Sequence, residues 1–164
     1  MCFLMYDKPP AISEVLTQLA EQPKAIATLT AAVPRAQLHR PPSRSEWSIN
    51  DVLAHLRSCS DMWGKYIATI IAEEKPTIRA MSPRTWIKRT NYLELEFAPS
   101  LRAFTKQRAE LLALLRPLPK AGWSRSATVT GAGRPLESTV LDYARRLADH
   151  ERSHVKQIAR ITPK

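Results

Sequence analysis

Glycine is scarce in this chain, with four residues in 164. A fold made of short strands and tight turns needs more, so a turn-rich β architecture is excluded and helices are favoured. Cysteine is scarcer still. Cys2 and Cys59 are too few for a disulfide framework, and both read as reduced thiols of a cytoplasmic protein. No apolar run approaches the roughly 20 residues of a membrane-spanning helix. The opening Met1-Cys2-Phe3-Leu4-Met5-Tyr6-Asp7 lacks a basic segment, and its apolar stretch is too short for a signal peptide. What the chain does have is proline, thirteen in all, and these should mark the breaks between helices. A hydrophobic content of 44% excludes a disordered chain. The length fits one domain, with residues 1–10 as a tail and 11–161 as the folded unit.

The net charge of +10 is unevenly placed. Residues 1–75 hold eight Lys/Arg and eight Asp/Glu, whereas residues 76–164 hold seventeen and seven. A basic half attracts nucleic acid, anionic small molecules or an acidic partner. No basic run is interleaved with aromatic residues, so a solvated basic surface is the reading preferred over a nucleic-acid interface.

Four amphipathic segments separated by proline-marked loops predict a four-helix bundle, an all-α fold. The first covers about 11–32, with Pro23 kinking or interrupting it. The second starts at Ser48, an N-cap with Asp51 three residues on as in a capping box, and runs to about Glu74. Trp47 is placed to staple onto Val52. The third covers about 93–116, on a stripe of Leu93, Phe97, Leu101, Phe104, Leu111 and Leu115, and Pro99 makes a second start possible there. The last covers about 138–161. Between them, residues 76–92 read as irregular with a short helix near 84–90, and Thr128-Val129-Thr130 before Gly131 as an extended loop or small hairpin.

Chemistry concentrates on the last helix. His150 and His154 are four residues apart, one turn apart on one face, the arrangement that grips a single metal ion from one element. His55 lies beside the apolar stripe of the second helix, so three imidazoles can meet at one place. Neutral imidazole suits Zn, Ni, Cu or Fe(II), and three protein ligands leave a position open. Spacing alone leaves a bland alternative standing, in which both histidines are half-buried and bonded to neighbours such as Asp149 or Glu151.

The segment Trp47-Ser48-Ile49-Asn50-Asp51-Val52-Leu53-Ala54-His55-Leu56 resembles the W-S-x-x-x-x-L-x-H-L pattern of the DinB/YfiT-like superfamily. The stretch from His150 through His154 to Gln157-Ile158 resembles its closing H-x-x-x-H-x-x-Q-I helix. Phe104-Thr105-Lys106-Gln107-Arg108 and Gly122-Trp123-Ser124 fit in order and spacing, so the resemblance spans about 11–161. It implies a four-helix bundle, often dimeric, holding one divalent metal, nickel or zinc in most cases, on three histidines. Those roles fall on His55, His150 and His154. It also implies metal-dependent enzymes, among them S-transferases and isomerases using a low-molecular-weight thiol, with metal-dependent hydrolysis as the second reading. A non-catalytic metal-binding or basic interaction protein is the alternative of a different class. The chain departs from the family where relatives carry an acid about five residues after the first histidine. Here that residue is Ser60, and Asp61 next to it does not share a face with His55.

Other residues have two readings each. Arg108 on an apolar stripe is either a contact for an anionic substrate or the partner of a buried acid, and the second is preferred. Tyr143 either lines the pocket or packs in the core with its hydroxyl satisfied. Cys59, one turn after His55, is a fourth ligand or, by preference, a small buried side chain. The tryptophans read as core or staple residues, and His39 as an unremarkable loop residue.

Overall fold

The computed structural model describes residues 11–163. The expected tail 1–10, and Cys2 with it, lies outside the described residues. Four long helices carry the fold: α1 (Ile12–Thr30), α3 (Ile49–Ala72), α5 (Phe97–Leu115) and α7 (Val140–Ile161), with short helices α2 (Arg35–Leu38), α4 (Pro83–Trp86) and α6 (Lys120–Trp123) in the connections. Among the described residues no helix is long and apolar enough to cross a membrane.

Two of the long helices start where reciprocal capping dictates. The Asp51 N–H donates to Ser48 Oγ at 3.1 Å while the Ser48 N–H donates to Asp51 Oδ2 at 3.0 Å. Thr139 and Asp142 repeat the arrangement at the head of α7. Pro23 does not interrupt α1. The proline forfeits one hydrogen bond, but Val15 and Leu19 before it and Ile26 after it are fully buried. Each such side chain contributes about 1.5–3 kcal/mol on burial, which outweighs the loss. The third helix begins later than the stripe predicts. Glu96 holds the N-cap position without a side-chain cap, its carboxylate accepting from Arg35 instead; Pro99 sits in the first turn, and Leu93 lies outside the helix, half exposed.

The fold is mostly helical, but not purely so. Strands β1 (Thr77–Arg79), β2 (Ser126–Thr130) and β3 (Leu136–Thr139) form a small sheet. The expected hairpin is β2–β3, antiparallel with Val129 opposite Leu136. Its turn uses Gly131 and Gly133 at positive φ. The surprise is β1, which pairs parallel to β2 with Ile78 opposite Val129. Ile78 and Ala127 seal one end of the bundle core. Beside them, Arg125 donates to the carbonyls of Ile70 at 3.0 Å and Glu73 at 2.7 Å, closing the end of α3.

The bundle is not a simple up-and-down array. Each long helix packs mainly on two others: α3 on α7 and α5, and α1 on α7 and α5. The diagonal pairs are therefore α1 with α3 and α5 with α7, while α3 and α5 pack directly on each other. The apolar core is split along the bundle axis. One cluster includes Leu19, Ile67, Leu115 and Leu147, and the other Ile26, Leu53, Phe104 and Ile158. On α5 and α7 the break falls at the buried Arg108 and Glu151, and on α3 between Leu56 and Cys59, next to the buried Ser60. Arg108 of α5 pairs with Glu151 of α7 across the diagonal. Ser60 of α3 accepts from Arg108 Nη2 at 3.2 Å and donates to Glu151 Oε1 at 3.3 Å. Burial pushes the Glu151 carboxyl up, while Arg108 and Ser60 pull it down.

This pair makes a direct prediction. Arg108→Leu strands a buried carboxylate and should cost about 3–5 kcal/mol in urea unfolding. Arg108→Met combined with Glu151→Leu should recover most of that loss. Equal losses in the single and double variants would show that the pair is not an energetic unit.

Candidate metal centre

The site lies at the break in the core. His55 is on α3 and points to α7, where His150 and His154 share one face. His150 is the hub: its Nε2 is 3.2 Å from His55 Nε2 and 3.2 Å from His154 Nε2. Two nitrogens bound at 2.0–2.1 Å to one tetrahedral ion are about 3.3 Å apart, so each of these spacings is compatible with a shared ion; the donor atoms that all lie within 4.8 Å of one another are those of His55, Cys59 and His150. The structure thus brings the three sequence-predicted histidines together.

The chemistry of the donor set fits a cation as well. His154 Nδ1 is 2.7 Å from Gln157 Oε1. An amide oxygen only accepts, so Nδ1 carries the proton and Nε2 is left with its lone pair toward His150. His150 Nδ1 is buried and has no partner among the described residues. Burial, then the proximity of His154 and His150 and of Arg84, pushes His55 down to about 4. Burial and His154 do the same to His150, also to about 4, and burial lowers His154 against the opposing bond to Gln157. All three imidazoles are therefore neutral at pH 7, the state a metal requires. Cys59 lies one turn along α3, its Sγ 3.5 Å from His55 Nε2. Burial and the nearby Glu151 push its thiol up to about 12.

A cleft of about 690 Å³ opens onto the histidines. Trp47, read as a staple, has a place in its wall. The indole is about one-third exposed, 5.0 Å from the His55 ring and stacked 6.3 Å from that of His154. Trp63 meets His150 edge-on at 5.1 Å. Arg84 lines the cleft beside Trp47, its guanidinium 6.0 Å from the centroid of the indole, and forms no ion pair among the described residues. It is held there because Ser58 Oγ donates to the Pro83 carbonyl at 2.6 Å. Asp61 adds a second clip by accepting from Trp86 Nε1 at 2.9 Å and Tyr92 OH at 2.7 Å. Asp61 thus stays out of the cleft, as its spacing from His55 requires.

Arg108 and Tyr143, considered above as substrate contacts, do not line this cleft. The charge of Arg108 is taken up by Glu151. Tyr143 is two turns, about 10 Å, along α7 from His150, where it packs on Tyr66 at 5.4 Å. Sequence reasoning missed Gln157, Arg84 and the position of Trp47. Gln157 was findable as the i+3 neighbour of His154, but Arg84 arrives through an irregular connection with no local signature. His39, too, has a partner, Glu96 Oε2 at 3.5 Å.

The lowered histidines carry a pH dependence. Their basicity is depressed in the fold, so between the ordinary value near 6.5 and about 4 the unfolded chain binds more protons than the native one. Stability of the metal-free protein is complete above that range and should fall as pH drops through it. Thermal melts at pH 7, 6, 5 and 4 should show the loss, and His55→Gln together with His150→Gln should flatten it.

A family model of the DinB superfamily matches residues 18–158. A Geobacillus kaustophilus (strain HTA426) protein named "Putative metal-dependent hydrolase" is 24% identical over 156 residues, covering 92% of this chain and 83% of its own length. A Geobacillus thermodenitrificans (strain NG80-2) protein so named is 24% identical over 136 residues, covering 79% and 73%. The structure of YfiT from Bacillus subtilis, described as "a probable metal-dependent hydrolase with an unusual four-helix bundle topology", aligns with a TM-score of 0.80 at 18% identity. It covers 96% of this chain and 89% of that one, and at this identity the likeness concerns the fold. By the extent of the family match, the chain belongs to the DinB superfamily.

Proposed function

We propose that this protein is a metal-dependent enzyme acting on a small anionic substrate, with hydrolysis as the reaction class. The observation that carries the proposal is the position of His150 Nε2, 3.2 Å from both His55 Nε2 and His154 Nε2, in the lining of an open cleft. The names of the Geobacillus relatives support the reaction class. When bound, a divalent ion, zinc or nickel on this donor set, supplies Lewis acidity.

The chain's own groups do the rest. Gln157 fixes the His154 tautomer, and the ring faces of Trp47 and Trp63 restrict how the imidazoles turn. Arg84, over the Trp47 ring and without an ion pair among the described residues, is the cation in a cleft lining that also holds Glu46, and it would take a carboxylate or phosphate of the substrate. The same residue favours a second reading, S-transfer by an acidic low-molecular-weight thiol, whose carboxylates Arg84 would bind. Ester, amide and phosphodiester probes against a thiol-plus-electrophile panel separate the two.

Protein purified without a histidine tag should hold close to one divalent ion per chain by elemental analysis. His150→Ala should abolish binding, and full occupancy in that variant would sink the site. Gln157→Leu should weaken metal affinity roughly 10–100-fold, as loss of an orienting partner does.

A further inference from the structure

Cys59 has two possible neighbourhoods. It is fully buried and belongs to the larger apolar cluster, which would make it a packing residue. Yet it also lines the cleft, and its sulfur is turned to the imidazoles: Sγ is 3.5 Å from His55 Nε2 and 4.0 Å from His55 Nδ1. Donor atoms of His55, Cys59 and His150 all lie within 4.8 Å of one another. A sulfur at 2.3 Å and a nitrogen at 2.0–2.1 Å from one tetrahedral ion are about 3.6 Å apart, the separation found between Cys59 and His55.

We propose that Cys59 is a metal ligand, so that the centre is one thiolate with imidazoles rather than histidine alone. This rests on the metal-dependent reading above and makes it more specific. On binding, the S–H bond breaks, a sulfur–metal bond forms and the proton leaves to solvent. The consequence is chemical selectivity. Thiolate favours zinc, cobalt and other borderline ions over magnesium and manganese, and it removes one unit of positive charge from the centre. A substrate or water then reaches the ion as an additional ligand from the cleft side.

The test uses full-length wild-type protein, so it does not depend on a variant folding. Metal-free protein is loaded with one equivalent of cobalt(II), and the zinc form is examined by X-ray absorption. A sulfur-to-cobalt charge-transfer band and a sulfur shell at about 2.3 Å are expected. Cys59→Ser, checked for native circular dichroism, should lose the band while still binding cobalt through the histidines, and its preference for zinc over manganese should drop at least tenfold. A wild-type spectrum with stoichiometric cobalt, no such band and a purely nitrogen–oxygen shell would overturn the proposal and leave the three-histidine site intact. Failure to bind either ion would overturn the metal reading itself, and this inference with it.

Discussion

The Arg108–Glu151 pair across the bundle diagonal is the constraint on which the rest depends. Burying two opposite charges costs about as much as their attraction returns, so the pair is poor evidence of stability gained. Arg108 Nε and Nη1 and Glu151 Oε2 lack partners among the described residues, which points the same way. What the pair does supply is register. Apolar side chains tolerate small slips between helices, whereas a guanidinium, a hydroxyl and a carboxylate from three helices meet in one alignment only. Glu151 follows His150 directly in the chain. A slip of one turn would move His150 by about 5.4 Å and break its 3.2 Å approach to His55. The ion pair and the histidine cluster are two faces of one break in the core.

Seven consecutive residues of α3 show how this economy works. His55 and Cys59 face the cleft, Leu56 enters the core, Ser58 and Asp61 hold the α4 region, and Ser60 joins the ion pair. Successive residues turn by about 100°, so one stretch serves every neighbour in turn. The acid that family resemblance would place at position 60 is replaced by a serine whose hydroxyl is committed to Arg108 and Glu151. A carboxylate already reaches that point from α7.

Legibility in the sequence followed locality. The starts of α3 and α7 were readable because capping boxes are written in three or four adjacent residues, and the His150–His154 pair because four residues make one turn. His55 was readable only as a residue beside an apolar stripe; its meeting with His150 needed the α3–α7 packing or the family pattern. The unbroken run of α1 through Pro23 was not legible because propensity speaks only for the helix itself, while the burial that sustains α1 comes from α5 and α7. Strand β1 was invisible: three residues in a basic segment become a strand only because Ser126–Thr130, some 50 residues later, lie alongside. Arg108 was legible as an anomaly, and the preferred reading of a buried acid partner is the one the structure displays.

The basic second half gains a meaning from the same geometry. Four of its twelve arginines have separate tasks: Arg108 on Glu151, Arg125 on the end of α3, Arg152 on Asp149, and Arg146 on the ring of Tyr143. A nucleic-acid interface needs cations gathered on one face and free to meet phosphates, and these point into different parts of the bundle. Arg84 differs from them. It stands in the cleft wall with no carboxylate partner, near enough to His55 to depress its basicity. Under the proposed function, Arg84 beside a metal ion is unfavourable until an anion joins them. An anionic group of the proposed substrate, held between Arg84 and the histidines, would supply that charge.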